Sequence, residues 1–360
     1  MKKIFLIFLS FKLFYSPLLV LGQEVLVYEV SFSHMESAGG WVAAEKGFYG
    51  KVKVKEVQGG AGISPIQEVV AAARAGYIAF GNDYPENIIR TREKEGIDLV
   101  AVSVDFQGSA MRIISWKPIR SAKDIKGDFG IWIGYDAKAK CAVGKGWEKQ
   151  FTIQNQGEDI KPWLARNWPL ASAMAYHELI TAQREVKKIG RIFYTIDYKD
   201  LGIDWMDNVL FTTEEVIKKY PDIVQTLVSG RYRGFQWAFQ NPKETFEIVK
   251  RVNETVDPSV GFQAPDFRTE EKTPIMVNPE QVLASGLGSR RVDFVREMDA
   301  VGPLKALMMP PDTKKQGLGY INPKKWENVA KDMFRAGLLE KMPNVKKVYS
   351  DKFPSGVIRK

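Results

Sequence analysis

Val25-Leu26-Val27-Tyr28-Glu29-Val30-Ser31-Phe32, then Gly39-Gly40-Trp41-Val42-Ala43-Ala44-Glu45-Lys46-Gly47-Phe48-Tyr49, then Val52-Lys53-Val54-Lys55-Glu56-Val57, is the stretch that decides the fold. The first and last runs follow the period of a strand. The middle run reads as a helix opened by two glycines and stopped at Gly47, with aromatics packing behind it. Strand, helix and strand in that order make a βαβ unit. Ligands of open α/β sheets sit beyond the carboxyl ends of such strands, which makes residues 32–40 a candidate ligand site.

The pattern repeats. A glycine-rich turn precedes a small-residue helix over 66–76, and Tyr77 to Gly81 reads as a buried strand with Asn82-Asp83-Tyr84-Pro85 as its exit loop. Further strands are expected at Leu99 to Val104, Met111 to Trp116, Phe129 to Ile133 and Phe151 to Gln154. The segment 105–110 is the candidate first crossing between two lobes. Beyond Val209-Leu210-Phe211 the chain reads as mostly helical, with Asn241-Pro242 breaking one helix from the next. The Pro- and Gly-rich region from Val256 to Gly319 is expected to be irregular, and Asn322-Pro323 to start a closing helix.

Lys2, Lys3, the apolar run Ile4 to Leu21 and the site at Gly22 read as a signal peptide over 1–22. Lys12 and Pro17 inside that run argue against a membrane-spanning helix. Gln23 stands where a lipid-anchored protein would carry Cys, so the expected location is the periplasm, without a lipid anchor. About 340 remaining residues predict two domains by the length rule. These are lobe 1 over 23–107 plus 208–360, and lobe 2 over 108–207. A single cysteine, Cys141, excludes an internal disulfide and reads as a small apolar residue. The formal charge of +9 is dispersed, apart from mild concentrations at 341–347 and 359–360. Nucleic-acid binding calls for a basic stripe on a recognisable module, and the sequence has neither.

Catalytic constellations are missing. With only His34 and His177, no histidine pair has metal-ligand spacing on one helix. No nucleophile elbow, phosphate loop or complete dinucleotide fingerprint occurs.

The runs GGWVAAEKGFY (39–49), GGAGI (59–63) and AGYIAFGNDY (75–84) resemble the solute-binding proteins of bacterial ABC importers for thiamine precursors, riboflavin, sulfonates and nitrate. That superfamily also holds the fungal thiamine-pyrimidine synthases. DIKGDFGIW (124–132), TIQNQGEDI (152–160) and ASAMAYHEL (171–179) are similar to the pyrimidine- or flavin-binding branch. NPKETFEIV (241–249) and INPKKWENVAKDMFRAGLL (321–339) look like its closing helices. The resemblance implies an α/β, two-lobe periplasmic-binding-protein fold of type II, each lobe a mixed sheet flanked by helices, closing on one small molecule. It implies a monomer that needs no cofactor and no catalytic residue, and that delivers its ligand to a membrane permease.

Tyr176-His177-Glu178 matches a segment that in relatives reads Tyr-Asn-Glu. Tyr176 would stack or donate, and Glu178 would accept from a ring N–H or amine. His177 departs from the pattern; its imidazole offers a donor and an acceptor, and its alternative is a partly exposed helix histidine. Ser37 stands where relatives carry His, so His34 either replaces that function or is a solvated loop residue. Phe32 is a stacking face or a packing residue. Asn82, Asp83 and Tyr84 lie where polar ligand contacts belong. Gly60 to Ser64 form a backbone N–H cradle or a tight turn. Of Trp132 and Tyr135, at least one should face the cleft, whereas Trp41 reads as core.

The expected ligand is an aromatic heterocycle, riboflavin or a hydroxymethylpyrimidine-like compound. The alternative is a sulfonate, taurine or nitrate anion, which would want a small cleft lined by Ser, Thr and Arg. More distant is a hydroxymethylpyrimidine synthase-like enzyme, which needs a cofactor lysine and a sacrificial histidine.

Overall fold

The computed structural model describes residues 24–31, 33–60, 64–157, 160–255, 292–311 and 315–357. The segment read as a signal peptide, Phe32 and residues 61–63 lie outside them. The first lobe begins with β1 (Val25–Tyr28), α1 (Ala38–Glu45), β2 (Val54–Val57), α2 (Pro65–Arg74), β3 (Ile78–Asp83), α3 (Pro85–Glu95) and β4 (Leu99–Phe106). The second lobe holds β5 (Met111–Ser115), β6 (Gly127–Ile131), α4 (Ala137–Val143), β7 (Phe151–Asn155), α5 (Lys161–Arg166), β8 (Leu170–Met174), α6 (Glu178–Lys188) and β9 (Tyr194–Asp197). The chain returns as β10 (Asp207–Thr213). It continues through α7 (Glu214–Lys219), α8 (Pro221–Gln240), α9 (Pro242–Thr255), α10 (Phe294–Met308) and α11 (Pro323–Arg335).

Each lobe is a five-stranded mixed sheet flanked by helices, ordered β2-β1-β3-β10-β4 and β7-β6-β8-β5-β9. One strand in each runs against the rest: β10 is antiparallel to β3 and β4, and β5 to β8 and β9. Topology explains this. The other strands run toward the cleft between the lobes, and a strand arriving from the opposite lobe enters at that end and runs away from it.

β1 is buried on both faces, so its period sorts side chains between two helical layers rather than between core and water. Leu26 and Tyr28 pack with Ile66, Val69 and Ile88, while Val25 and Val27 pack with Val228, Tyr232 and Phe235. Glycines 39 and 40 do not open the helix; α1 starts at Ala38 and contains them. Gly39 is there for close approach. A Cβ on it would stand 2.3 Å from the Phe235 ring, and one on Gly234 of α8 would stand 1.9 Å from the Gly39 carbonyl oxygen. Gly47 does end the helix, at φ +70°. Trp41, expected in the core, is half-buried at the margin of a small cluster around Val42 and Ile248.

The region expected to be irregular contains α10. Asp293 caps it by accepting the Arg296 N–H at 2.8 Å, and Leu304, Leu307 and Met308 are buried. Pro303 inside the helix obscured it in the sequence, but capping and burial outweigh the one backbone bond that a proline removes. Among the helix contacts that join the lobes are those of α4 with α11 and of α6 with α10. Trp205, in the return crossing, is fully buried and donates from Nε1 to Asp332 of α11 at 2.8 Å.

Gly234→Ala should destabilise the protein by about 1–3 kcal/mol, because the α1–α8 backbone contact cannot admit a methyl group. Thermal unfolding measures this, and a melting temperature equal to wild type contradicts the close-approach role.

Candidate ligand-binding site

The two histidines of the chain meet across the lobes. His34 lies after β1 and His177 after β8, and their ring centroids are 5.0 Å apart. Each has a carboxylate: His34 Nδ1 is 3.1 Å from Glu297 of α10, and His177 Nδ1 is 2.8 Å from Glu178. Both carboxylates are themselves held. Glu297 accepts the Met35 N–H at 3.0 Å and faces Arg296 at 3.2 Å, and Glu178 accepts the Met174 N–H at 3.0 Å. Glu36, also buried, accepts from the Ser31 hydroxyl at 2.9 Å.

Burial works against charge here, and the partners decide the outcome. It would lower His34, but the charge and hydrogen bond of Glu297 raise it above 6.5. For Glu297 burial pushes upward, yet His34 and Arg296 bring it down to about 2. Glu178 likewise ends below its ordinary value, held by His177 and backbone N–H groups. Glu36 ends above, because burial outweighs its neighbours.

Aromatic rings form the next layer. Tyr84, in the first lobe, packs edge-on against Tyr135 of the second at 4.8 Å, and its hydroxyl reaches the Met174 sulfur at 3.9 Å. Tyr176 lies 5.6 Å from Phe106. Burial holds all three tyrosine hydroxyls well above their ordinary pKa, so they serve as neutral donors. Beneath them Lys138 of α4 is fully buried, 2.9 Å from Glu86 of α3 and 2.8 Å from Asp207 at the start of β10. Its ammonium also sits 4.8 Å from the Tyr84 ring centroid. Despite burial the two carboxylates raise its pKa, so it stays charged.

Of the residues expected at the site, the structure gathers His34, Tyr84, Tyr135, Tyr176, His177 and Glu178. Ser37 closes a turn instead, donating to the His34 carbonyl and accepting its N–H. Ser64 caps α2 through the Gln67 N–H, and Gly60 adopts φ +125°. Asp83 accepts from the Tyr84 N–H and from Asn87, tying down the start of α3, and burial raises it to about 6. Asn82 donates to Asp105, inside a buried network in which Arg231 pairs with Glu29 and Asp105. Trp132 packs partly buried against the core, and Phe32 lies outside the described residues.

Sequence reasoning missed Glu36, Lys138, Glu86, Asp207 and Glu297. Glu36 carried a signal, a carboxylate two positions from His34 in the loop already singled out. Glu297 carried none, because its helix was read as irregular. Among the described residues no group of three or more His, Cys, Asp or Glu side chains is placed to hold a metal ion.

The family described as NMT1/THI5 like matches residues 34–245, more than half of the chain. The chain belongs to the NMT1/THI5-like family. No curated relative matches it by sequence. Among solved structures it is similar to the aliphatic sulphonate binding protein SsuA of Escherichia coli, at 12% identity and a TM-score of 0.54, over 91% of each chain. SsuA of Xanthomonas axonopodis pv. citri, bound to MOPS, gives 11% identity and 0.55, over 91% of this chain and 98% of that one. The ligand binding component of an ABC-type import system from Staphylococcus aureus, with zinc bound, gives 12% and 0.58, over 94% of this chain and 100% of that one. At such identities the likeness carries the fold, and it is that of periplasmic binding proteins. In this NMT1/THI5-like chain no helix among the described residues is long and apolar enough to cross a membrane.

The His34–Glu297 pair sets a pH dependence. Glu297, lowered, contributes stability that is present above its ordinary 4.5 and lost as pH falls through about 2. His34, raised, contributes stability that is full below 6.5 and lost as pH rises through its higher folded value. The coupling between His34→Gln and Glu297→Gln in urea unfolding should therefore be largest between pH 4.5 and 6.5 and fade on either side. A coupling unchanged from pH 5 to pH 10 contradicts the pair.

Proposed function

We propose that this chain is the periplasmic substrate-binding protein of an ABC importer, capturing an aromatic heterocycle such as riboflavin or a hydroxymethylpyrimidine between its lobes. On this reading residues 1–22 are a cleaved signal peptide. Lobe 1 spans 23–107 and 208–360, lobe 2 spans 108–207, and a monomer hands the ligand to a membrane permease. The observation that carries it is the chemistry of the interlobe surface. Tyr84 and Tyr135 pack edge to face across the lobes, and Tyr176 stands near the buried carboxylates Glu36 and Glu178. Rings offer stacking partners, and carboxylates accept from ring N–H and amino groups.

The two SsuA neighbours bear names for sulfonate binding, so an anion is the competing ligand. Charge weighs against it. Lys138 and Arg296 are each matched by carboxylates, so an anion beside them would meet buried negative charge already engaged with those cations. The same pairing weighs against an enzyme. An ammonium held between Glu86 and Asp207 is a poor nucleophile, since the free amine is the reactive form.

Calorimetry and tryptophan fluorescence against riboflavin, hydroxymethylpyrimidine, taurine and nitrate test the reading. A ring compound should bind and the anions should not. Tyr135→Ala should weaken that binding by about tenfold without unfolding the protein, from the loss of stacking and buried area. Tight binding of taurine or nitrate with no response to any ring compound overturns the proposal.

A further inference from the structure

His177 is tethered on one side only. Its Nδ1 is 2.8 Å from Glu178, whose other oxygen is fixed by the Met174 N–H at 3.0 Å. Its backbone is fixed too, the N–H donating to the Met174 carbonyl and the carbonyl accepting from Thr181. Nε2 is buried, yet among the described residues it has no hydrogen-bond partner. The residue as a whole is 9% exposed and faces the first lobe through His34. A buried polar atom without a partner costs free energy that folding alone has no reason to accept. At a contact between two lobes, such an atom is available to a ligand held there.

The carboxylate decides which chemistry the atom offers. Glu178, ionised, only accepts, so in the neutral ring the proton sits on Nδ1 and Nε2 keeps its lone pair. Glu36, Glu178 and Glu297 add further acceptors around the same point. On the side of the protein the interlobe surface is therefore rich in acceptors, and a complementary ligand is rich in donors.

We propose that His177 Nε2 is the acceptor that reads an N–H of the bound molecule, so that the ligand is a heterocycle bearing an exocyclic amine or a ring N–H at that position. This rests on the ring-binding reading above. It goes further in assigning a donor edge to the ligand, with Glu178 as the positioning residue that sets the tautomer.

Two matched pairs of probes test it. One pair is hydroxymethylpyrimidine with its amine and the same ring with hydrogen in the amine's place. The other pair is riboflavin and riboflavin methylated at its ring N–H. In the pair that binds, loss of the N–H should weaken wild-type binding by about tenfold or more, because a buried acceptor is left unpaired. In His177→Leu both members should bind alike, and His177→Gln, which keeps an acceptor, should restore part of the preference. Equal binding of both members by the wild type overturns the proposal and needs no variant that might misfold. An equal loss for both members in His177→Leu overturns it as well, by reducing His177 to packing. Failure of all four ring probes against the wild type instead removes the ring-binding reading, and this inference with it.

Discussion

A single buried ammonium holds the two lobes in register. Lys138 comes from α4 of the second lobe, Glu86 from α3 of the first, and Asp207 from the strand that returns between them. Asp207 also accepts from the Ser109 hydroxyl at 2.9 Å and the Ala110 N–H at 2.8 Å, on the outgoing crossing. One carboxylate thus ties both crossings together, and one lysine ties that knot to each lobe. Such a cluster is costly to desolvate, and removing Lys138 leaves two buried carboxylates uncompensated, a loss of about 3–5 kcal/mol. Its value lies in geometry, because it sets where the lobes meet.

The site inherits its shape from that knot. Tyr84 stands two residues before Glu86, and Tyr135 three before Lys138, so pairing the charges brings the rings edge to face at 4.8 Å. On the other flank α6 lies against α10, and Arg184 reaches Asp299 at 2.6 Å there. The same contact brings Glu297 to His34 and His34 to His177. Acceptors and rings therefore converge from elements far apart in sequence, and each is fixed by a neighbour rather than left to find its own rotamer.

Local pattern made much of this fold legible. The βαβ units announce themselves through Val- and Ile-rich runs bounded by Gly, Pro and Asn, whereas Tyr176-His177-Glu178 was singled out by resemblance to relatives rather than by the strand that precedes it. Three features were not legible. Gly39 was read as a helix start because a packing glycine and a capping glycine look alike in sequence; only Gly234 and Phe235, on a distant helix, tell them apart. The helix over 294–308 hid behind Gly302-Pro303 and an exposed Phe294-Val295 at its start. The charge partners of Lys138 and Arg231 were invisible because each comes from another element, and nothing local marks a lysine or arginine as buried.

On the proposed reading, the two lobes close on a small ring. Single-molecule energy transfer between dyes placed on exposed positions of the two lobes, Lys126 and Lys352, with Cys141 replaced, reads that motion directly. The account predicts that a saturating ring ligand gathers the population into one short-distance state and that nitrate leaves the distribution unchanged. A distribution indifferent to every ring compound, or one narrowed by nitrate alone, contradicts it.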